Sequence, residues 1–302
     1  MKNQKVAYLY AISAVLIWST VASAFKISLK YLDFLQLLLL SSFVSTAVLL
    51  ILLFIKKQFK NLKSYTRKEY LHSAFLGFLN PFLYYVVLFK AYTLLPAQEA
   101  QPLNYTWPIM LVILSIPLLQ QKINLKSIIS IIISFFGVLT ISTQGDILGF
   151  GFTNFYGALL AISTAVIWAL FWIFNTKDKR EEIPKLFLNF LFGLMYIFIA
   201  TISFSEIKIP TFEGILGASY IGLFEMGITF VLWSKALELS ITTAKVSKLI
   251  YLVPFLSLII VYLVLGEKIL VSTIVGLVFI VLGILLERVK LFNKKAKTTI
   301  QY

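Results

Sequence analysis

Ten apolar segments of 17–23 residues follow one another along the chain, with short polar connections between them. At about 1.5 Å per helical residue, each segment is long enough to cross the roughly 30 Å hydrocarbon core of a bilayer. Charged residues make up only 13% of the sequence, against about 25% in soluble domains. The predicted fold is therefore an all-α membrane protein of ten transmembrane helices embedded in a lipid bilayer. The predicted spans are 6–25, 34–55, 71–89, 97–119, 127–143, 156–174, 186–204, 213–233, 242–264 and 269–287.

The distribution of basic residues predicts the orientation of these spans. With the amino terminus inside the cell, 22 of the 27 lysine and arginine residues lie on the cytoplasmic side. Positively charged residues are concentrated in cytoplasmic loops. A missing or additional span would place many of the basic residues on the wrong side of the membrane. We expect a multi-pass protein of the cell membrane with both termini in the cytoplasm.

Composition also excludes several classes of function. The formal net charge of +14 comes from lysines in the loops. A basic stripe interleaved with aromatic residues would indicate nucleic-acid binding, and the sequence has no such stripe. Cysteine is absent and His72 is the single histidine, so the sequence predicts no metal site, no cofactor and no catalytic triad. It contains neither a Walker A motif nor the HExxH or GxSxG motifs of enzymes. We expect neither an enzyme nor an ATP-driven pump.

One phrase occurs twice: residues 11–18 read AISAVLIW and residues 161–168 read AISTAVIW. Further matches follow in order: Gly77 with Gly222, Tyr105 with Tyr251, Pro108 with Pro254, QKI at 121–123 with EKI at 267–269, and Gly137 with Gly283. The offset drifts only between 145 and 150 residues. The chain therefore divides into two repeats, 1–143 and 144–302.

Five spans separate the two copies, and an odd number turns the second repeat upside down in the membrane. Inverted repeats of this kind are typical of secondary transporters, in which exchange of the two conformations opens a central cavity to alternate sides. One chain contains both halves, so a monomer suffices. A channel is the less favoured alternative, since it requires a continuous polar pore.

The second half carries a run that resembles a known family. Residues 231–269 read VLWSKALELSITTAKVSKLIYLVPFLSLIIVYLVLGEKI, and Gly276 and Gly283 follow. This resembles the carboxy-terminal signature of EamA-type permeases of the drug/metabolite transporter superfamily, although Gln121 replaces the usual glutamate in the first half. LNYTWPIM at 103–110 is similar to the aromatic amino-acid exporter branch. The resemblance implies a ten-helix carrier that exports small metabolites without ATP.

Glu225 lies near the middle of the eighth span, and its repeat counterpart is Asn80 in the third. A charged side chain at the bilayer centre costs roughly 2.5–3.5 kcal/mol, so it should face the interior and have a partner. In one interpretation Glu225 accepts a proton or a substrate ammonium, and Asn80 forms a hydrogen bond on the opposite side. The other is an interhelical hydrogen bond with Glu225 protonated.

Trp18 and Trp168 are the last residues of the two copies of the repeated phrase, and each lies on the same helix face as a stripe of small residues. They predict either an aromatic wall for a ring or a cation, or packing between the repeats. Lys248 either contacts a substrate carboxylate or extends to the cytoplasmic surface.

Pro108 and Pro254 lie midway along the fourth and ninth spans, and each removes an amide donor and permits a bend. We expect paired hinges lining a cavity, with passive kinks as the alternative. The polar and aromatic residues expected beside these bends to contact substrate are Asn104, Tyr105, Trp107 and Tyr251.

These residues together predict a small-molecule substrate, with protons as a candidate coupling ion. Because the residues are aromatic and the branch resemblance agrees, we expect an exporter of amino acids, aromatic ones first. Efflux of drugs or toxic cations, and transport of nucleotide sugars, are the alternatives within the same superfamily.

Overall fold

A computed structural model describes residues 3–119, 125–148, 153–241, 246 and 248–288. These residues are almost entirely helical. The helices are α1 (Gln4–Ser28), α2 (Phe34–Ile55), α3 (Phe59–Ser64), α4 (Arg67–Gly77), α5 (Tyr84–Leu94), α6 (Ala97–Asn104), α7 (Trp107–Leu119), α8 (Leu125–Ser142), α9 (Phe155–Lys177), α10 (Glu182–Phe204), α11 (Phe212–Tyr220), α12 (Thr229–Leu239), α13 (Leu252–Leu265) and α14 (Val271–Arg288). A π-helical segment, Phe78–Leu83, joins α4 to α5, and a second, Ile221–Ile228, joins α11 to α12.

Six described helical stretches are long and apolar enough to cross a membrane. They are Gln4–Ser28, Phe34–Ile55, Arg67–Leu94, Phe155–Asn175, Glu182–Phe204 and Phe212–Trp233, and the shorter apolar helices are Ile128–Ser142, Leu249–Leu265 and Val271–Leu286. The predicted fourth span was expected to be one bent helix, but it is two, because α6 ends at Asn104 and α7 begins at Trp107. Ten crossings result, in two repeated halves.

Several predicted span ends were short of the helix ends. The helix of the third span begins at Arg67 rather than residue 71, because Thr66 and Glu69 form a reciprocal capping box. The helix of the seventh span begins at Glu182 rather than 186, and that of the sixth span extends to Lys177. Polar and charged residues continue a helix beyond its apolar core, so hydropathy alone makes the predicted spans too short. Residues 242–245 and 247 of the predicted ninth span lie outside the described residues.

Equivalent helices of the two halves run in opposite directions. Lys26, near the carboxyl end of α1, donates a hydrogen bond to the carbonyl of Leu95. At the amino end of α9, a Cβ on Gly157 would lie 2.9 Å from Cγ of Leu95. The first helix of one half therefore ends where the first helix of the other half begins, as an inverted repeat requires.

Two other equivalent pairs pack directly and antiparallel. The Thr201 hydroxyl near the end of α10 lies 3.4 Å from the Leu35 carbonyl at the start of α2. In the pair α8 and α14, the backbones of Gly137 and Gly276 meet so closely that a Cβ on Gly137 would lie 2.5 Å from the Gly276 carbonyl oxygen. Small residues permit this close approach. The van der Waals contacts that result stabilise helix pairs in lipid, where the hydrophobic effect does not drive association.

The two halves also repeat one helix crossing in detail. A Cβ on Gly77 would lie 2.3 Å from the carbonyl oxygen of Asn189, and a Cβ on Gly222 would lie 2.5 Å from that of Ser41. Gly77 and Gly222 are the sequence pair at an offset of 145 residues. Each glycine lets its helix touch the backbone of the helix that belongs to the other half, so these crossings fasten the halves together.

A charged cluster holds the end of the bundle at which α9 ends and α10 begins. The Arg180 Nε lies 3.0 Å from both carboxylate oxygens of Asp178, and its Nη2 donates to the Ser73 hydroxyl at 2.8 Å. The guanidinium also stacks 4.9 Å above the Tyr65 ring. Burial acts to raise the pKa of Asp178, but the hydrogen bonds and charge of Arg180 outweigh it and hold that pKa below its usual value. The cluster ties the α2–α4 connection to the α9–α10 connection.

We expect Asp178→Asn to lower the free energy of unfolding by about 2 kcal/mol at neutral pH, since it leaves the buried Arg180 charge unpaired. Because the folded pKa is lowered, the contribution of Asp178 is complete at neutral pH and is lost as the pH falls below about 4. Thermal unfolding in detergent at pH 7 and pH 4 measures both effects. Lys179→Met, at the exposed neighbouring position, is the control. Equal stability of D178N and the parent at pH 7 would contradict this assignment.

Candidate functional site

Three helical spans are interrupted at mid-length and a 3-10 turn opens another described helix, and these four places surround one region. In the Phe78–Leu83 segment, Asn80 has an extended backbone (φ −148°, ψ 120°) inside an otherwise helical run. The segment Ile221–Ile228 is its counterpart and carries Glu225. The third interruption is Tyr105–Thr106, between α6 and α7, and the fourth is the 3-10 turn Lys248–Tyr251 before α13. In membrane carriers, non-helical backbone at this depth is tolerated where it is buried in protein or lines a cavity.

A cavity of about 80 Å³ lies at this level. It has room for several water molecules or for part of a small organic molecule. All five tryptophans of the chain line it, together with one carboxylate, two amides and three tyrosines. The lining residues are Trp18, Val21, Ala22, Phe25, Tyr84, Leu88, Tyr92, Gln101, Asn104, Tyr105, Trp107, Trp168, Trp172, Glu225, Trp233 and Ile250.

Glu225 supplies the one carboxylate of this lining. Its side chain is 7% exposed, and one carboxylate oxygen accepts a hydrogen bond of 3.0 Å from the Tyr85 hydroxyl. The other oxygen, Oε2, has no hydrogen bond of ordinary distance and angle among the described residues, and the Trp18 side chain lies within hydrogen-bonding range of the carboxylate. A buried polar atom without a partner is costly, so this oxygen is the natural attachment point for a ligand donor or a proton.

A polar bridge crosses the cavity wall at Asn104. Its amide nitrogen donates to the Thr164 hydroxyl at 2.7 Å and to the Tyr84 hydroxyl at 3.2 Å. Tyr84 packs against Trp168 in a tilted arrangement, with ring centroids 4.6 Å apart. The amide thus joins α6 of the first half to α9 of the second and fixes the orientation of two aromatic rings.

The aromatic rings form a continuous wall that spans both halves. Trp18 contacts Trp233 at 5.5 Å and Phe230 at 6.4 Å between ring centroids, and Phe230 in turn contacts Trp168 at 5.8 Å. Edge and tilted arrangements of this kind are favourable for aromatic pairs. The wall offers ring faces to an apolar or cationic group beside the Glu225 carboxylate.

Six of the nine residues predicted to contact substrate lie in the cavity lining: Trp18, Asn104, Tyr105, Trp107, Trp168 and Glu225. Asn80 is buried but lies outside this lining, and its amide has no hydrogen bond within the described residues. The described hydrogen bond to Glu225 comes from Tyr85, and the role of Asn80 opposite the substrate stays a prediction. Tyr251 is buried outside the lining, and the Lys248 side chain lies outside the described residues.

Both predicted hinge prolines follow an interruption instead of causing a bend in mid-helix. Pro108 is the second residue of α7 and Pro254 the third of α13. In the first turn of a helix a proline costs no hydrogen bond, because that amide has no intrahelical partner. The prolines therefore mark where each helix restarts, two to three residues beyond the break.

Sequence reasoning missed several lining residues: Tyr84, Tyr92, Gln101, Trp172 and Trp233. A signal was available for one of them, since Trp172 lies four residues after Trp168 and therefore on the same helix face. Tyr84 lay in the predicted third span and Tyr92 just beyond its end, and no charged residue within that span identified an inward face. Among the described residues, no group of three histidine, aspartate or glutamate side chains could hold a metal ion.

An all-helical membrane bundle with inverted halves, in which interrupted helices enclose an aromatic cavity, has the architecture of a membrane carrier. Comparison with known proteins agrees. Residues 5–143 and 155–287 each match the EamA-like transporter family, and the chain belongs to this family. It is therefore a multi-pass membrane transporter of a small molecule and not an enzyme.

The chain is similar to several curated proteins over almost its full length. It is 24% identical to the uncharacterized transporter YoaV of Bacillus subtilis (strain 168), covering 94% of this chain and 97% of that protein. An uncharacterized transporter of Archaeoglobus fulgidus is 25% identical, covering 95% and 99%. A protein crystal structure with 20% identity superposes with a TM-score of 0.67 over 95% of this chain and 97% of that one. This last likeness supports the fold.

Proposed function

We propose that this protein is a secondary transporter for small organic amines with an aromatic or apolar portion, which it moves by alternating access. The observation that carries the proposal is the cavity lining. It combines the Glu225 carboxylate with five tryptophans, and among its described residues there is no lysine or arginine. A carboxylate beside aromatic faces attracts a cation both by charge and by the ring quadrupoles.

The amine is favoured over the amino acid that the sequence predicted first. An amino acid also carries a carboxylate, which would need a cation or a set of donors in the cavity. The described lining provides amide and indole donors but no positive side chain, and a desolvated carboxylate without a partner is costly. Among the sequence-based alternatives, efflux of cations fits this lining better than export of amino acids or nucleotide sugars.

Proton coupling belongs to the same proposal. When no amine is bound, the unpartnered Oε2 of Glu225 can hold a proton, and a bound ammonium would displace it. Exchange of one amine for one proton would then follow from competition for a single buried carboxylate.

We further propose that residues 1–143 and 144–302 are the two mechanical units, with both termini in the cytoplasm. The excess of basic residues on the terminal side supports this orientation. The resemblance to export carriers supports movement of substrate out of the cell, and inclusion of both halves in one chain supports a monomer.

Three indole compounds test the choice of substrate class, because they share the indole ring and differ in the charged groups on its side chain. We expect tryptamine, which has an amine, to raise the thermal unfolding temperature of the purified protein. Tryptophan should raise it less, and indole-3-propionate, which has only a carboxylate, should leave it unchanged. A ligand at about 100 times its dissociation constant adds roughly 2.7 kcal/mol to the free energy of unfolding, which is readily measured. Stabilisation by tryptophan or indole-3-propionate above that by tryptamine would overturn the proposal.

A further inference from the structure

Lys26 reaches across from α1 to the end of α5. Its ammonium group donates hydrogen bonds of 2.9 Å to the carbonyl oxygens of Tyr92 and Leu95. These are carbonyls of the last helical turn and of the residue that follows it, which have no amide partner within the helix. A cation is therefore placed at the negative end of the α5 helix dipole.

Glu267 approaches the same corner from the opposite side. It lies in the connection between α13 and α14, and its two carboxylate oxygens accept hydrogen bonds from the amides of Ala97 (3.1 Å) and Gln98 (3.2 Å). These amides open α6, whose own N-cap residue, Pro96, has no side-chain hydrogen bond. A carboxylate from another helix pair thus supplies the cap and the favourable charge at the positive end of the α6 dipole.

Gln98 strengthens this second connection. Its amide nitrogen donates to the Lys268 carbonyl at 2.8 Å, and its carbonyl oxygen accepts from the Leu270 amide at 3.0 Å. The corner between α5 and α6 is therefore held by a cation from the first half and by a carboxylate from the second. The same face of the bundle lies next to Phe25 and Tyr92, which line the cavity.

The repeat-equivalent positions in the sequence carry no such pair of charges. Thr176 and Gln121 occupy the positions equivalent to Lys26 and Glu267, at offsets of 150 and 146 residues. Two described hydrogen bonds at the corresponding α12 corner join neutral groups. The amide of Asn3 donates to the Leu239 carbonyl at 2.9 Å, and the side chain of Gln4 accepts from the Ile241 amide at 2.9 Å. Charge-assisted hydrogen bonds are roughly twice as strong as neutral ones.

We propose that Lys26 and Glu267 form a latch on the α5–α6 corner that keeps the face away from the termini closed. With the termini in the cytoplasm, this is the outer face. The Lys26 and Glu267 contacts oppose opening of this face of the empty carrier, independently of the Asp178–Arg180 cluster at the inner end. The inference rests on the proposed alternating access and orientation, but not on the identity of the substrate.

Cysteine accessibility tests the latch directly, because the chain contains no cysteine. Ala22 lines the cavity one helical turn below Lys26, so Ala22→Cys reports access from the outer face. In intact cells treated with a membrane-impermeant sulfonate thiol reagent, we expect Lys26→Met and Glu267→Gln each to speed labelling about fivefold or more, the equilibrium effect of a charge at a helix end. Since both residues hold one corner, the double variant should gain less than the product of the two.

Lys30→Met and Glu206→Gln remove exposed charges from the same face and should leave the rate unchanged. Lys26→Arg keeps the cation and should keep labelling slow. Thermal unfolding of each variant shows that it is folded. Unchanged labelling of folded K26M and E267Q would overturn the latch, even if transport of amines is intact. Accelerated labelling in a protein that does not bind tryptamine would support the latch and reject the substrate class.

Discussion

Replacement of Glu225 by glutamine is expected to abolish proton-driven transport and to weaken amine binding by about 30- to 1,000-fold. This corresponds to about 2–4 kcal/mol, the range for removing one partner of a buried charge pair. Glutamine has nearly the same shape and can still accept the 3.0 Å hydrogen bond from Tyr85. Packing should therefore persist while the charge that attracts an ammonium is lost.

The measurement is uptake of radiolabelled tryptamine into proteoliposomes with an imposed pH gradient. The parent protein should show saturable uptake that depends on the gradient, and E225Q should show neither property. Glu99→Gln provides a matched control, because Glu99 is also buried, at 1% exposure, but lies outside the cavity lining. Its carboxylate accepts from Gln144 and Thr153 at the edge of the bundle, so we expect this variant to retain most transport. Gradient-sensitive uptake by E225Q would reject the role of Glu225, and non-saturating uptake by the parent would indicate a channel.

The second large effect is expected at the glycines of the two equivalent crossings. Gly77→Ala and Gly222→Ala should each lower the free energy of unfolding by about 3 kcal/mol or more, at the upper end of the cost of overpacking a core. The added Cβ would lie 2.3 Å from the Asn189 carbonyl oxygen in one case and 2.5 Å from the Ser41 carbonyl oxygen in the other. Because both obstacles are backbone atoms, neither can move aside without separating the helices.

Thermal unfolding in detergent, followed by size-exclusion chromatography, measures this loss. Gly214→Ala is the control, since its Cβ would meet only side-chain atoms of Leu32, at 3.0 Å or more. It should be close to neutral. Similar losses at Gly77 and Gly222 would agree with the repeat of one crossing in both halves. Parent-like stability in either variant would contradict the close approach described above.

Much of this architecture could be predicted from the sequence because lipid permits few solutions. Apolar length fixed the number of crossings, and the paired matches between the halves, such as Gly77 with Gly222, indicated the inversion. Aromatic and charged residues in mid-span also identified part of the cavity, since Trp18, Trp168 and Glu225 have no ordinary reason to lie at that depth.

The interruptions of the helices were harder to anticipate. Pro108 indicated a bend, but hydropathy cannot show that α6 ends at Asn104 and a new helix starts at Trp107. The described partner of Glu225 was not anticipated either. Repeat symmetry drew attention to Asn80, whereas the described hydrogen bond comes from Tyr85, and the extended backbone at Asn80 could not be read from the sequence. The role of Lys248 stays a prediction.

The inverted arrangement of the two halves is tested most directly by mapping one residue from each end of the bundle. Lys60 is exposed in α3, close to the α9–α10 connection, and Leu148 is 95% exposed after α8, at the opposite end. Single cysteines at these positions can be treated with an impermeant thiol reagent in intact and in permeabilised cells. We expect Leu148→Cys to react in intact cells and Lys60→Cys only after permeabilisation. Reaction of both from the same side would show that the halves are not inverted, and the alternating-access mechanism would fail with them.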